Sequence, residues 1–213
     1  MRFQHTNNKK LPTSFYLSSD TVKTSRNLLG KILKTNINGQ KCSGIITETE
    51  AYCGTADKAC HAYNNKLTKR TETMFMSGGV AYIYLCYGIH HLFNVVTNSE
   101  NEPHAILIRG IKVLSGADII SLRTCKPVKT GDKLNGPGKL TKALGITTKL
   151  DKEPLCNNTI WIEDIGIKLS QKEIISTKRI GVDYAKEDSL LPYRFILEED
   201  ILKSKLIKIG ASL

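Results

Sequence analysis

Residues 47–94 limit what this chain can fold into more than any other stretch. They open with Thr47-Glu48-Thr49-Glu50-Ala51-Tyr52 and end with Ala81-Tyr82-Ile83-Tyr84-Leu85-Cys86-Tyr87-Gly88-Ile89-His90-His91-Leu92-Phe93-Asn94. The closing run places β-forming residues on both sides of Gly88 and reads as a hairpin. Its alternation puts Tyr82, Tyr84 and Cys86 on one face and Ile83, Leu85 and Tyr87 on the other. The opening run continues an apolar strand, Gly44 to Thr47, whose period of two delivers Glu48, Glu50 and Tyr52 to one face. Between them lies a polar connection, locally basic at Lys66, Lys69 and Arg70. It is expected to hold a short helix around Asp57 to Tyr63 and a turn at Ser77-Gly78-Gly79. Strands hold side chains more rigidly than loops do, which suits a site that must place a water molecule and a flat ring.

The remaining elements are expected around this unit. Residues 1 to about 12 read as a basic, flexible arm ending at Pro12. Ser18-Ser19-Asp20 supplies capping chemistry for a helix over residues 21–33, with Val22, Leu28, Leu29 and Ile32 on its buried face. Thr35 to Gln40, containing Asn38-Gly39, reads as a hairpin turn. Ala105 to Ile108 is an uncharged apolar run typical of a buried central strand, with Arg109 at its end. Gly116 to Thr124 is expected to be helical, as is Gly138 to Leu144, which Gly145 stops. Ile160 to Ile162, Glu173 to Ile180 and Tyr193 to Leu197 are the later strand candidates. Strands and helices do not alternate regularly and no repeat is present. The fold class that follows is α+β with a mainly antiparallel sheet.

With 213 residues, 40% of them hydrophobic, the chain can bury the core of a single domain without staples. Its formal charge of +11 points to a polyanionic partner, nucleic acid or an anionic membrane surface, although a biased composition gives the same excess. Six cysteines lack any C-x-x-C spacing, and Cys53 and Cys60 with His61 make only a weak zinc pattern. Reduced thiols in a cytoplasmic protein are the better reading. No apolar run approaches the ~18 residues of a membrane span, and the first ten residues do not look like a secretory signal.

Several side chains carry more than one reading. Glu48 and Glu50 are either a solvated strand face or a carboxylate pair for acid–base work, with Arg109 as a candidate partner. Tyr82 and Tyr84 suit any packed sheet. Tyr87 differs, because an aromatic beside a glycine at a hairpin tip has little core to enter, and a base stack against it is the natural use. His61 is a general base, a metal ligand or a satisfied loop histidine. Asn94 caps a turn or reads a base edge. Asn135-Gly-Pro-Gly-Lys-Leu140 lacks the spacing of a phosphate loop, which excludes nucleotide hydrolysis. The helix start beside Lys139 can still meet a DNA phosphate.

Together E-T-E-A-Y-C-G-x-x-D-x-A-C-H-A, T-K-R-T-E-x-M-F, A-Y-I-Y-L-C-Y-G-I-H, I-L-I-R-G, N-G-P-G-K-L and R-I-G-V-D-Y-A…L-P-Y-R-F resemble the alkyladenine (3-methyladenine) DNA glycosylase family, in order, from about Leu11 to Leu197. The resemblance implies one compact catalytic domain over residues 13–213, with a curved, mainly antiparallel sheet, flanking helices and a protruding β-hairpin. It implies a monomer that removes alkylated purines such as 3-methyladenine and 7-methylguanine from double-stranded DNA, with no cofactor and no metal. Glu50 then matches the general base that activates water, and Arg109 the residue that holds carboxylate and water. Tyr52 and His61 match one wall of the base pocket, and Tyr84 the other. Asn94 matches the amide that discriminates against normal guanine, and Tyr87 the residue wedged into the duplex. No lysine in these motifs stands as an amine nucleophile, so no lyase activity is expected.

A non-catalytic nucleic-acid-binding protein would use the same charge and aromatic hairpin but gain nothing from Glu50. An enzyme acting on a free nucleoside would need neither Tyr87 nor the basic charge. Binding to DNA through ~5 phosphates would give a log–log salt slope near −4 to −5.

Overall fold

The computed structural model describes residues 9–211. The chain enters through β1 (Lys9–Lys10), a single turn α1 (Thr13–Tyr16) and α2 (Thr21–Leu28). Asp20 caps α2 by accepting the Lys23 amide at 2.8 Å. This helix is shorter than its apolar spacing suggests. Gly30 turns the chain at φ +78°, and Ile32 already belongs to β2 (Ile32–Ile37). The Asn38-Gly39 turn, with φ of 53° and 80°, leads into the long strand β3 (Gln40–Tyr52).

Residues 53–80 hold only short 3-10 turns, and no helix forms over 57–63. The Asp57 carboxylate accepts the amides of Cys53 and Ala59, which fixes a compact turn instead. β4 (Ala81–Cys86) and β5 (His90–Thr97) follow, paired antiparallel about Tyr87-Gly88-Ile89. β6 (His104–Ser115) is far longer than the apolar run that announced it, so Arg109 stands inside the strand rather than at its end. Next come α3 (Ala117–Thr124), β7 (Lys133–Asn135) and α4 (Pro137–Leu144), the last closed by Gly145 at φ +73°. β8 (Ile160–Asp164), β9 (Ile175–Thr177), β10 (Arg194–Ile196) and α5 (Glu199–Lys208) complete the chain. The expected strand over 173–180 is reduced to three residues, and α5 had no counterpart among the expected elements.

Among the described residues the strands form one sheet in the order β1-β8-β2-β3-β6-β5-β4, with β7 on β6, and β10 joining β3 to β9. Every pairing is antiparallel and the sheet curves into a half-barrel, an α+β architecture as expected. Lys9 and Lys10 pair with Asp164 and Glu163, and Leu11 is buried, so this end of the expected arm is a sheet edge. Residues 1–8 of that arm lie outside the described residues.

The two faces of the sheet differ. Ile83, Phe93, Val95, Ile106 and Ile108 point into the main core with residues of α2, α4 and α5. Their neighbours Tyr82, Val96 and Ala105 pack on the opposite face, beneath residues 53–80. The alternation expected of β4 therefore holds for Tyr82 and Ile83. Irregular register between β3 and β6 at Glu48 bends both strands. Gly110 makes the bend possible, because a Cβ there would lie 3.1 Å from the Glu48 Cβ.

A second close approach predicts a stability effect. A Cβ on Gly78 would stand 2.4 Å from the Tyr16 carbonyl oxygen and 3.0 Å from that of Asn98, both backbone atoms. Those carbonyls are themselves engaged, accepting the amides of Asn98 and Gly78. Gly78→Ala is expected to cost about 3 kcal/mol, the upper end for overpacking, read as a lower urea midpoint at unchanged slope.

Candidate active site

The central part of β3 carries the charges. Glu50 is fully buried. Its Oε2 accepts the Tyr52 hydroxyl at 2.9 Å and Arg109 Nη1 at 3.2 Å, while its Oε1 accepts the backbone amide of Ile180 at 2.9 Å. Glu48 Oε1 accepts Arg109 Nε at 3.0 Å and Arg194 Nε at 2.7 Å. Arg109 therefore bridges the two carboxylates, and two guanidiniums balance two negative charges. Burial pushes the Glu50 carboxyl above its ordinary 4.5; Arg109, the Ile180 amide and Tyr52 pull against that, and Glu48 adds to it. The same burial, reinforced by Glu50, raises the Tyr52 phenol, so Tyr52 remains a donor.

In front of this cluster lies a cavity of about 360 Å³. Tyr52, His61, Tyr84, Tyr87, Asn94 and Arg109 all line it. Glu50 does not. It sits one layer behind the wall, bonded to three members of that wall: Tyr52, Arg109 and Ile180.

The aromatic residues touch one another. His61 Nδ1 lies 2.9 Å from the Tyr82 hydroxyl, and the His61 and Tyr84 rings meet edge to face with centroids 4.7 Å apart. A ring inserted between two others needs two contacts of ~3.5 Å or more, so His61 and Tyr84 leave no gap for a base between themselves. Burial, with Arg70 and Lys66 nearby, lowers the His61 pKa to about 4 and keeps the imidazole neutral at pH 7. The Arg70 guanidinium stands 4.8 Å from the Tyr84 ring centroid. Asn94 is buried and donates both bonds of its Nδ2 to the carbonyls of Tyr82 and Leu92, at 3.1 and 3.4 Å, which locks the amide and leaves Oδ1 as its free polar atom among the described residues.

Tyr87 has the opposite character. It is 93% exposed at the β4–β5 turn, and its φ of +50° is unusual for an aromatic residue. Ile89 beside it is 72% exposed. Next to the turn, Ile89, His90, Lys139 and Lys142 line a second, basic hollow against α4.

The weak zinc pattern dissolves in this structure. Cys60 is buried with its thiol toward the Pro103 carbonyl, and His61 turns to Tyr82. No cluster of three or more metal-ligating side chains occurs among the described residues. No helix there is long and apolar enough to cross a membrane.

Several groups at the site went unrecognised in the sequence. Arg179 and Asp57 form a buried pair directly behind Tyr52, Ile180 to Val182 close one side of the cavity, and Arg194 secures Glu48. All of them lie inside the quoted motifs, Asp57 in E-T-E-A-Y-C-G-x-x-D, Arg179 to Val182 in R-I-G-V-D-Y-A and Arg194 in L-P-Y-R-F, but the motifs alone gave them no role.

The site is thus a carboxylate buried one layer behind the wall of an aromatic cavity, on a basic chain. A profile described as methylpurine-DNA glycosylase matches residues 14–201, and the chain belongs to that family. It is 48% identical over 202 residues to a Chlamydia felis (strain Fe/C-56) protein, covering 92% of this chain and 100% of that one. It is 41% identical over 201 residues to one from Desulfitobacterium hafniense (strain Y51), covering 90% and 96%. A Clostridium botulinum (strain Alaska E43 / Type E3) protein is 39% identical over 203 residues, covering 92% and 98%. Each carries the name "Putative 3-methyladenine DNA glycosylase".

Proposed function

We propose that the protein excises alkylated purines, 3-methyladenine and 7-methylguanine among them, from double-stranded DNA by hydrolysing the N-glycosidic bond and leaving an abasic site. The observation that carries this reading is Glu50, a carboxylate buried one layer behind the wall of an aromatic cavity and held by three members of that wall, Tyr52, Arg109 and the Ile180 amide. Glu50 acts as general base on a water admitted between those three wall members, and Arg109 orients carboxylate and water together. The water attacks C1′, its proton passes to Glu50, and the glycosidic electron pair leaves with the base. Among the described residues no lysine lines the cavity, which supports water rather than an amine as nucleophile and hence no lyase step.

The cavity's chemistry suits a cationic base. Tyr84 already faces one cation, the Arg70 guanidinium, and alkylated purines carry a positive charge that tyrosine faces attract. Neutral His61 adds no repulsion, and Arg70, which lines the same cavity, has to give up the Tyr84 face to the base. Tyr52 and His61 serve as one wall and Tyr84 as the other once His61 and Tyr84 part to admit the ring. The locked amide of Asn94 cannot move aside for the exocyclic amine of guanine. A stacked nucleotide is out of reach, so it must be flipped out, and Tyr87 fills the space it vacates. Strain at Tyr87 fits that use, since uncommon backbone conformations gather at working positions. The protein acts as a monomer, without cofactor.

The test is single-turnover release of 3-methyladenine from methylated duplex DNA, followed by cleavage at the abasic site across pH. Release is expected, with an acid limb whose midpoint lies above 4.5 because burial raises the Glu50 carboxyl. The sign follows from the role: the base works ionised, so its rate is lost as pH falls through the raised pKa. Binding of DNA without release would overturn the assignment.

A further inference from the structure

We propose that Arg179 is a positioning residue for base excision: from behind the cavity wall it fixes Tyr52 and the Ile180 amide, two of the three donors that hold Glu50. The inference rests on the reading of Glu50 as the water-activating carboxylate.

Arg179 is 3% exposed and touches none of the cavity. Its guanidinium forks onto Asp57, Nη1 to Oδ2 at 2.5 Å and Nη2 to Oδ1 at 2.8 Å. Nη1 also donates to the Ala51 carbonyl at 2.9 Å, and Nη2 to that of Asp188 at 3.1 Å. Its Cζ lies 5.0 Å from the ring centroid of Tyr52 and 5.4 Å from that of Tyr193. One side chain thus ties the end of β3, the turn at Asp57 and the loop reaching Asp188. The next residue, Ile180, donates its amide to Glu50 Oε1. The two terminal nitrogens of a planar fork achieve this, while Nε has no partner among the described residues; a lysine has the charge without the geometry.

The groups facing Glu50 are Tyr52 and Glu48 from β3, Arg109 from β6 and, farther off, Tyr84 from β4, with Arg194 from β10 reaching only Glu48. Arg179 makes no bond to Glu50. Its influence therefore travels through the position of Ile180 and Tyr52. Loosening it withdraws donors from the carboxylate, which favours the protonated acid.

The experiment compares wild type, Arg179→Lys and Asp57→Asn, the second variant loosening the fork while keeping Arg179 in place. Single-turnover release is measured against pH, with duplex affinity and thermal melting alongside, and Glu50→Gln assigns the acid limb. Both variants are expected to move that limb up by about one pH unit, the effect of losing a donor. Their rate falls about tenfold below the limb and recovers above it, with duplex affinity within about twofold. A limb that stays in place, or a rate loss equal at every pH, overturns the role, as does collapse of both variants, since Arg179 would then serve the fold alone. Wild type that releases no base overturns the glycosylase reading itself; an active wild type with unmoved limbs overturns only the role of Arg179.

Discussion

Glu50→Gln is expected to lower single-turnover base release by about 10²- to 10⁴-fold, the usual range for a general base, while duplex DNA still binds. Glutamine keeps the volume of the side chain. Its carbonyl oxygen can still accept from a neighbour, and Arg109 keeps Glu48 as a partner, so no buried cation is stranded. Removing a negative charge from a site facing DNA leaves affinity equal or improved. The measurement is abasic-site formation under enzyme excess, with duplex binding by anisotropy. A variant that keeps its rate within tenfold of wild type would show that the carboxylate is structural. A non-catalytic DNA-binding protein would show no release from either form.

The second large effect separates stability from activity. Tyr87→Asn gives the turn the Asn-Gly pair that positive φ at both positions favours. The fold should be as stable as wild type or more so, since the strain of an aromatic residue at φ +50° is relieved. Excision from duplex DNA should nevertheless fall about 30-fold, equivalent to about 2 kcal/mol of the few needed to unstack a base. Excision from a single-stranded oligonucleotide, which has no stack to replace, should be nearly unaffected. Equal losses on both substrates would remove Tyr87 from its role as wedge and leave it a pocket residue.

Local features were legible where the determinants are local. The Asp20 cap, the Asn38-Gly39 turn and the stop at Gly145 all act within a few residues. The alternation of Glu48, Glu50 and Tyr52 was legible for the same reason. The end of α2 was not, because Leu28 and Leu29 continue a helical spacing and only the close packing of Gly30 against Ile167 turns the chain. Arg109 read as the end of a strand because a charge in a buried strand is rare. It is tolerated there because the bend at Gly110 brings Glu48 and Glu50 to it. Arg179 was the hardest to see, since its partner Asp57 is 122 residues away and neither motif names the other. The resemblance to known glycosylases supplied roles for Tyr52, His61 and Tyr84, but not that the latter two rings are in contact.

β3 is shared between early and late parts of the chain. Its first half pairs with β2, its neighbour in sequence, whereas Glu48 and Glu50 lie against β10 and the Ile180 amide. Those contacts span 146 residues from Glu48 to Arg194 and 130 from Glu50 to Ile180. During synthesis most of the sheet can therefore assemble while its two carboxylates remain without their distant partners. The carboxylates meet all their partners only when β10 docks, and the same step brings Phe195, Leu197, Leu202 and Leu206 into the main core, so the charged cluster and the core are completed together.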